Sequence, residues 1–332
     1  MRETKLILVE GLPGSGKSTL AQYLVECARA ESIDIRWCYE EEVDHPVFIF
    51  HDLDSLRSTV DALNQGDHAT VIVAALEQWG RFAAAVASAN TTLLIDSCLF
   101  GYLTWSLFPL DVPLGEIESY VAEVARIIAP LQPCLVYLYQ EDVAASLRRI
   151  CARRGDATER WLMEQSTQSP YGRSHQLSGI DGMVAYWSAY RRLTDSLYDR
   201  LDHPKVAIET TAGEWHAYQQ EALAFLGLTP TDRPCLSSEL LSRFTGVYDS
   251  VGDGETQTIT ISLMDTNLIV QGMPQIWRDT PLRPIDDHRF AIESLPFEVR
   301  FERDGDERVH LLVSGPNLID GAIPRLYTRR LG

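Results

Sequence analysis

The sequence predicts an α/β chain: a parallel five-stranded sheet with helices on both faces, followed by a small antiparallel, barrel-like β domain. Three observations predict it. Short apolar runs alternate with helix-length segments as far as Leu228. That alternation builds a parallel sheet covered on both faces, with right-handed crossovers. The first apolar run opens directly into a glycine-rich stretch, GLPGSGKST, Gly11–Thr19. Beyond Leu228 the pattern changes to brief alternating segments separated by turn residues, which suits antiparallel hairpins.

Lys5–Glu10 is apolar and unbroken, which reads as a buried parallel strand. A helix is expected from Lys17 to about Arg29, a second strand over Ile33–Tyr39, and helix over most of Asp52–Ala87 with a break near Gly66. TTLLIDS, Thr91–Ser97, is the third strand and ends in an acid. Leu114–Ala129 is an amphipathic helix, Pro133–Tyr139 the fourth strand, and Asp142–Arg153 a helix with an arginine-rich end. A helix over Asp181–Leu201, a fifth strand over Lys205–Thr210 and a last helix over Glu214–Leu226 complete the series. TPTDRP, Thr229–Pro234, is linker-like. The expected division is an α/β domain over 1–228, a linker over 229–236 and a β domain over 237–332. In the β domain TQTITISL, NLIVQG, HRFAIES, FEVRFERDG and RVHLLVSG read as strands, and the DG, GDG and DD pairs as hairpin turns.

Composition narrows the partners. With 45% hydrophobic and 23% charged residues, the 332-residue chain can bury a core. A net charge of −18 repels nucleic-acid backbones and anionic membranes, so neither is an expected partner. Cys27, Cys38, Cys98, Cys134, Cys151 and Cys235 show no CxxC spacing, so no zinc site is expected; buried thiols in a reducing compartment are. No signal-peptide pattern precedes the first strand, and no apolar run reaches the roughly 18 residues that span a bilayer. The expected location is cytoplasmic.

GLPGSGKS matches GxxxxGK[ST], in its required context between a strand and a helix. Gly11, Gly14 and Gly16 let the backbone turn its N–H groups toward phosphate oxygens, and the following helix adds its positive end. The expected nucleotide-binding residues are Gly11, Pro13, Gly14, Ser15, Gly16, Lys17, Ser18 and Thr19. Lys17 is expected at the β- and γ-phosphates and Ser18 at Mg²⁺. Such a loop serves switches, motors and phosphoryl-transfer enzymes alike. A guanine-specific switch needs an NKxD motif, and none of Lys5, Lys17 and Lys205, the chain's lysines, follows an asparagine. A remodelling ATPase ordinarily ends a strand in consecutive acids, whereas TTLLIDS offers Asp96 and then Ser97.

The helix after the fourth strand carries Arg148, Arg149, Arg153 and Arg154 before Gly155. Arg149 and Arg153 are four apart and share a face. In an otherwise acidic chain this cluster suits a clamp on a transferring phosphoryl group, with Arg149, Arg153 and Arg154 as its members.

On the glycine loop, and more loosely on LRRICARRG and IDSC, the N-terminal 228 residues resemble the P-loop kinases of small molecules, in the branch of nucleoside, nucleotide and thymidylate kinases. The resemblance implies a P-loop kinase-type fold, ATP and Mg²⁺ as cofactors, and an RxxxR lid. It also implies an acceptor base after the second strand, Glu40 or Glu41, and a metal-side acid at Asp96. Ser97 stands where that branch carries arginine in its DR[SY] motif, which argues against ordinary nucleoside recognition. His45 and the aromatics Trp37, Tyr39, Trp79, Phe100, Tyr102 and Trp105 are expected near the acceptor, and Ser169–Gly182 as a polar flap bringing Arg173 and His175 to it. FTGVYDS and RLYTRR resemble the lipocalin-like β domain at the C-terminus of some serine-hydrolase and β-lactamase-related proteins. That domain could recognise substrate, cover the cleft or make a homodimer. The expected activity moves the γ-phosphoryl of ATP to a hydroxyl or phosphate of a small molecule: a nucleoside-like compound or a specialised metabolite such as an antibiotic. The alternative is a regulatory P-loop ATPase whose β domain binds a protein partner.

Overall fold

The computed structural model describes residues 4–251, 256–273, 279–305, 308–319 and 323–330. It divides into two compact units: Met1–Glu40 with Asp44–Pro230, and Glu41–Val43 with Thr231–Gly332.

The first unit runs β1 (Leu6–Gly11), α1 (Lys17–Ala30), β2 (Ile35–Cys38), α2 (Leu53–Asn64), α3 (His68–Ser88), β3 (Thr92–Asp96), α4 (Leu103–Leu107) and α5 (Leu114–Ile128). It continues with β4 (Cys134–Tyr139), α6 (Val143–Arg154), α7 (Asp156–Gln168), α8 (Pro170–Ser174), α9 (Gly179–Arg200), β5 (Lys205–Glu209) and α10 (Trp215–Leu226). All five strands are parallel, in the order β2-β3-β1-β4-β5. The expected parallel sheet is therefore present.

The order places β1 at the centre because its residues Leu6–Val9 are apolar enough to be covered on both faces; all four are at most 1% exposed. Register then fixes the site. Val9 lies beside Asp96 of β3 and Val136 of β4, and Cys38 of β2 lies beside Ile95. The carboxyl ends of β1, β2 and β3 thus finish level, where open α/β sheets hold ligands.

Helix signals explain most of the rest. Asp52 caps α2 reciprocally with Ser55, Asp142 accepts the Ala145 N–H at the head of α6, and left-handed Gly227 stops α10. Three helices depart from expectation. In α7 only Leu162 and Ser166 are buried, too few to give a readable period. Helix α4 is five residues long. The expected flap is helical over α8, where Ser169 caps the Gly172 N–H and the Tyr171 ring packs 4.4 Å from Phe108.

The second unit holds α11 (Ser238–Ser242) and the strands β6 (Gly246–Ser250), β7 (Thr258–Met264), β8 (Asn267–Gln271), β9 (Thr280–Pro284), β10 (Arg289–Ile292), β11 (Glu298–Arg303), β12 (Val309–Ser314) and β13 (Leu326–Arg329). Each pairs antiparallel with its sequence neighbour and β13 pairs with β6, closing an eight-stranded barrel. Closure removes the exposed strand edges. The buried rings of Tyr248, Phe290, Phe301 and Tyr327 help fill the core. Strand β9 escapes the sequence pattern because Pro281 and Pro284 argue against a strand. The DD pair is a hairpin turn in which Asp286 Oδ1 accepts the N–H groups of His288 and Arg289. The GDG pair at 252–254 lies outside the described residues.

This unit also contains Glu41–Val43. Glu42 forms an antiparallel bridge with Leu318; the Val43 N–H donates to the Asn317 carbonyl at 2.8 Å and the Ile319 N–H to the Glu41 carbonyl at 3.0 Å. Among the described residues no helix is long and apolar enough to cross a membrane.

Candidate functional site

The loop between β1 and α1 depends on glycine at two positions. Gly16 has φ +92°, and a Cβ there would lie 1.8 Å from the Trp215 ring of α10. Gly14 has φ +77°, and its Cβ would meet Ile150 of α6 at 2.3 Å. Both dihedrals disfavour any side chain, and both spaces are already filled. The loop is thus covered from α6 and α10. Ser15 Oγ is buried without a partner, and Thr210 Oγ1 donates to the Ser15 carbonyl at 3.3 Å.

Lys17, at the head of α1, is 8% exposed and donates from Nζ to the Leu12 carbonyl at 3.2 Å. One residue on, Ser18 Oγ donates to Asp96 Oδ2 at 2.7 Å. The other carboxylate oxygen, Oδ1, accepts Trp37 Nε1–H from β2 at 2.9 Å. Asp96 is fully buried. Burial raises its pKa, and the charge of Glu40 raises it further; the hydrogen bonds from Ser18 and Trp37 and the charge of Lys17 act the other way. Glu40 is half-buried in the α/β unit, whereas Glu41 belongs to the barrel unit. Of the two acids expected after β2, Glu40 is the one whose charge acts on Asp96.

A second buried acid was not singled out in the sequence. Glu10, the last residue before the glycine loop, is 0% exposed. Its Oε1 accepts the N–H groups of Cys98 and Leu99 at 2.8 and 2.6 Å, and its Oε2 that of Phe100 at 3.1 Å. Burial pushes its pKa up to about 7, against the pull of those N–H groups and of Lys17. A strand-terminal glutamate before GxxxxGK carries no marker in the sequence except its place in an otherwise apolar run.

Other expected positions fall elsewhere. His45 is 1% exposed, stacked 4.1 Å from Phe48, and its Nε2 lies 3.5 Å from Cys98 Sγ. Burial, aided by the charge of Arg36, lowers its pKa to about 3, so it is a neutral core histidine rather than a pocket wall. Trp79 and Phe100 are likewise core: Trp79 donates to Tyr120 Oη at 3.1 Å and Phe100 packs edge-on against Tyr137. Trp105 is half-buried and stacks on Trp187 with ring centroids 4.6 Å apart. Arg173 of α8 donates to the Gln168 carbonyl, and the ring of His175, which follows α8, stacks on Tyr171 at 4.0 Å. Arg149, Arg153 and Arg154 are exposed on α6, whose Ile150 covers Gly14.

The structure therefore brings Lys17, Ser18 and Asp96 together, with Glu40 in electrostatic range of Asp96. These residues fit a Mg²⁺-nucleotide. The glycine loop leaves the buried Ser15 hydroxyl unpaired. Among the described residues no group of three or more His, Cys, Asp or Glu side chains gathers around a metal position. Ser18 and Asp96 offer two oxygens, the donor set of Mg²⁺, which keeps several waters and takes further oxygens from phosphate.

No family model matches the chain, and no curated protein does. Solved structures similar to it include thymidylate kinase from Ehrlichia chaffeensis, 11% identical, with a TM-score of 0.37 over 68% of this chain and 98% of that one. Another is shikimate kinase from Acinetobacter baumannii in complex with shikimate, 12% identical, with a TM-score of 0.35 over 68% of this chain and 94% of that one.

Proposed function

We propose that this chain is an ATP-dependent phosphotransferase that moves the γ-phosphoryl group to a hydroxyl or phosphate of a small molecule. The observation that carries the reading is the Ser18–Asp96 hydrogen bond of 2.7 Å at the mouth of a loop whose glycines admit no side chain. Phosphoryl transfer needs alignment and charge stabilisation more than covalent chemistry. Mg²⁺·ATP supplies the transferable group and the metal charge that offsets its developing negative charge. The loop residues Gly11–Thr19 would hold the phosphates, with Lys17 leaving the Leu12 carbonyl for a phosphate oxygen. Ser18 and Asp96 would hold the metal and its waters. Glu40 orients the acceptor or takes its proton, favoured over Glu41 because its charge already acts on Asp96. Arg149, Arg153 and Arg154 are solvent-exposed on the helix that covers Gly14, which suits a lid that closes onto the phosphates.

Mass spectrometry tests this. The protein is incubated with Mg²⁺·ATP and a panel of nucleosides, nucleoside monophosphates and hydroxyl-bearing antibiotics, with Lys17→Ala as control. The expected result is a product one phosphoryl group heavier than its acceptor, formed on the order of 10³-fold more slowly by the control. ADP accumulating with no phosphorylated product across the panel would count for the regulatory ATPase instead.

A further inference from the structure

Glu10 is a fully buried carboxylate of the α/β unit that the proposed chemistry does not use. A carboxylate without solvent exposure loses its hydration, and a pKa near 7 shows that its three N–H donors and Lys17 do not fully offset that loss. An apolar residue of similar size would fill the same space without this cost. The geometry gives the charge a purpose. Ser97 takes a left-handed backbone, φ +61°, so that the next three N–H groups converge on one point. Three successive N–H groups turned inward form an anion-binding concavity, and here the chain's own carboxylate occupies it.

The two partners in this contact matter. Glu10 immediately precedes the glycine loop; Cys98–Phe100 immediately follow Asp96 and Ser97. The same short loop is tied by Ser97 N–H to the Val9 carbonyl at 3.1 Å, by Thr104 Oγ1 to the Leu99 carbonyl at 2.8 Å, and by Tyr190 Oη to the Phe100 carbonyl. The Glu10 contact links it by side chain to the residue abutting the glycine loop. Next to it Ser97 Oγ is buried with no partner.

We infer that Glu10 is a positioning residue: its carboxylate sets the Ser97–Phe100 backbone against the glycine loop and thereby holds Asp96 on Ser18. The inference rests on the phosphotransferase reading for its kinetic consequence, though not for its structural one.

Two variants and two readouts test it. Glu10→Ala removes all three acceptor contacts. Glu10→Gln keeps one oxygen for Cys98 and Leu99 and turns an NH₂ group toward the Phe100 N–H. Amide hydrogen exchange by NMR follows residues 98–100, and steady-state kinetics separate kcat from the KM for Mg²⁺·ATP. The expected result is graded. Exchange at 98–100 rises in both variants, most in Glu10→Ala. Turnover falls about 100-fold in Glu10→Ala and about 10-fold in Glu10→Gln, the size expected of a small misplacement. KM for Mg²⁺·ATP stays within about threefold, because the loop keeps its own N–H groups. If Glu10→Ala does not fold, Glu10→Gln decides alone. Amides 98–100 as protected as in the wild type would overturn the inference. So would a lowered Tm with unchanged kcat per folded molecule, the outcome of a merely structural role. Failure of the phosphotransferase reading shows separately, as a wild-type protein that phosphorylates nothing. The inference is then judged on amide exchange alone: faster exchange at 98–100 in the variants upholds it, and protection equal to the wild type overturns it.

Discussion

In the α/β unit Glu10, Lys17 and Asp96 are buried together around the glycine loop, and His45 is buried beside Cys98. In the barrel unit the buried polar residues among those described are Glu42, Thr280 and Ser294. Barrel charges otherwise sit in exposed or half-exposed pairs such as Arg330–Asp249 and Arg289–Asp286. Exposed pairs are screened by water and contribute little, whereas buried carboxylates cost stability unless fully compensated. Among the described residues the barrel unit buries one carboxylate, Glu42, whereas the α/β unit gathers two, Glu10 and Asp96, with Lys17 at one end of its sheet.

The sharpest way to break this comparison is Asp96→Asn. If the acid is there for chemistry, turnover falls on the order of 10³-fold while Tm stays level or rises, since a desolvated charge has become neutral. Turnover preserved with a lowered Tm would make Asp96 an ordinary structural acid. The barrel counterpart is Phe301→Ala. Phe301 is 3% exposed and stacks on Phe244 at 4.4 Å, so its loss should cost about 3–5 kcal/mol in denaturant unfolding. Turnover per folded molecule should not change.

The smallest effect expected is in pH dependence, and it has a sign. His45 ionises in the unfolded chain below its ordinary 6.5 but in the fold only near 3, so it removes stability as pH falls from 6.5 toward 3. Glu10 has its pKa raised from 4.5 to about 7, so its contribution is fully present below 4.5 and is lost as pH rises through 7. Between pH 4.5 and 6.5 the two oppose. His45→Gln should therefore tilt the stability profile toward acid, and Glu10→Gln away from it. Each should act by up to roughly 1.4 kcal/mol per pH unit relative to wild type. Identical slopes in all three proteins would remove the electrostatic contrast between the units.

The parallel sheet was legible because its strands are unbroken apolar runs, and the glycine loop because glycine spacing, lysine and serine fall between a strand and a helix. The barrel was legible as hairpins but not as eight strands, since β9 carries two prolines. What sequence could not give was side-chain reach. Trp37 is expected near the acceptor as one aromatic among six, and nothing in the sequence says that its indole N–H binds Asp96. His45 looks reactive beside an acidic run and is sealed in the core. Glu10 reads as the end of a strand, because its three donors lie 88 to 90 positions away. Glu40 and Glu41 are adjacent in sequence and fall into different units. Hydrophobic period says nothing about such pairings.

The bridge between Glu42 and Leu318 has a consequence for how the chain is made. The partners are 276 positions apart (318 − 42), and the barrel unit is completed by a segment translated long before the rest of it. Emerging from the ribosome, Glu41–Val43 must wait through the synthesis of the rest of the α/β unit and seven barrel strands before Asn317–Ile319 arrive. Closing so long a loop is not prohibitive, since its entropic cost grows only with the logarithm of length. A chain cut after Pro230 therefore lacks more than the barrel strands: it leaves Glu41–Val43, just after Glu40, without the Asn317–Ile319 backbone with which they pair.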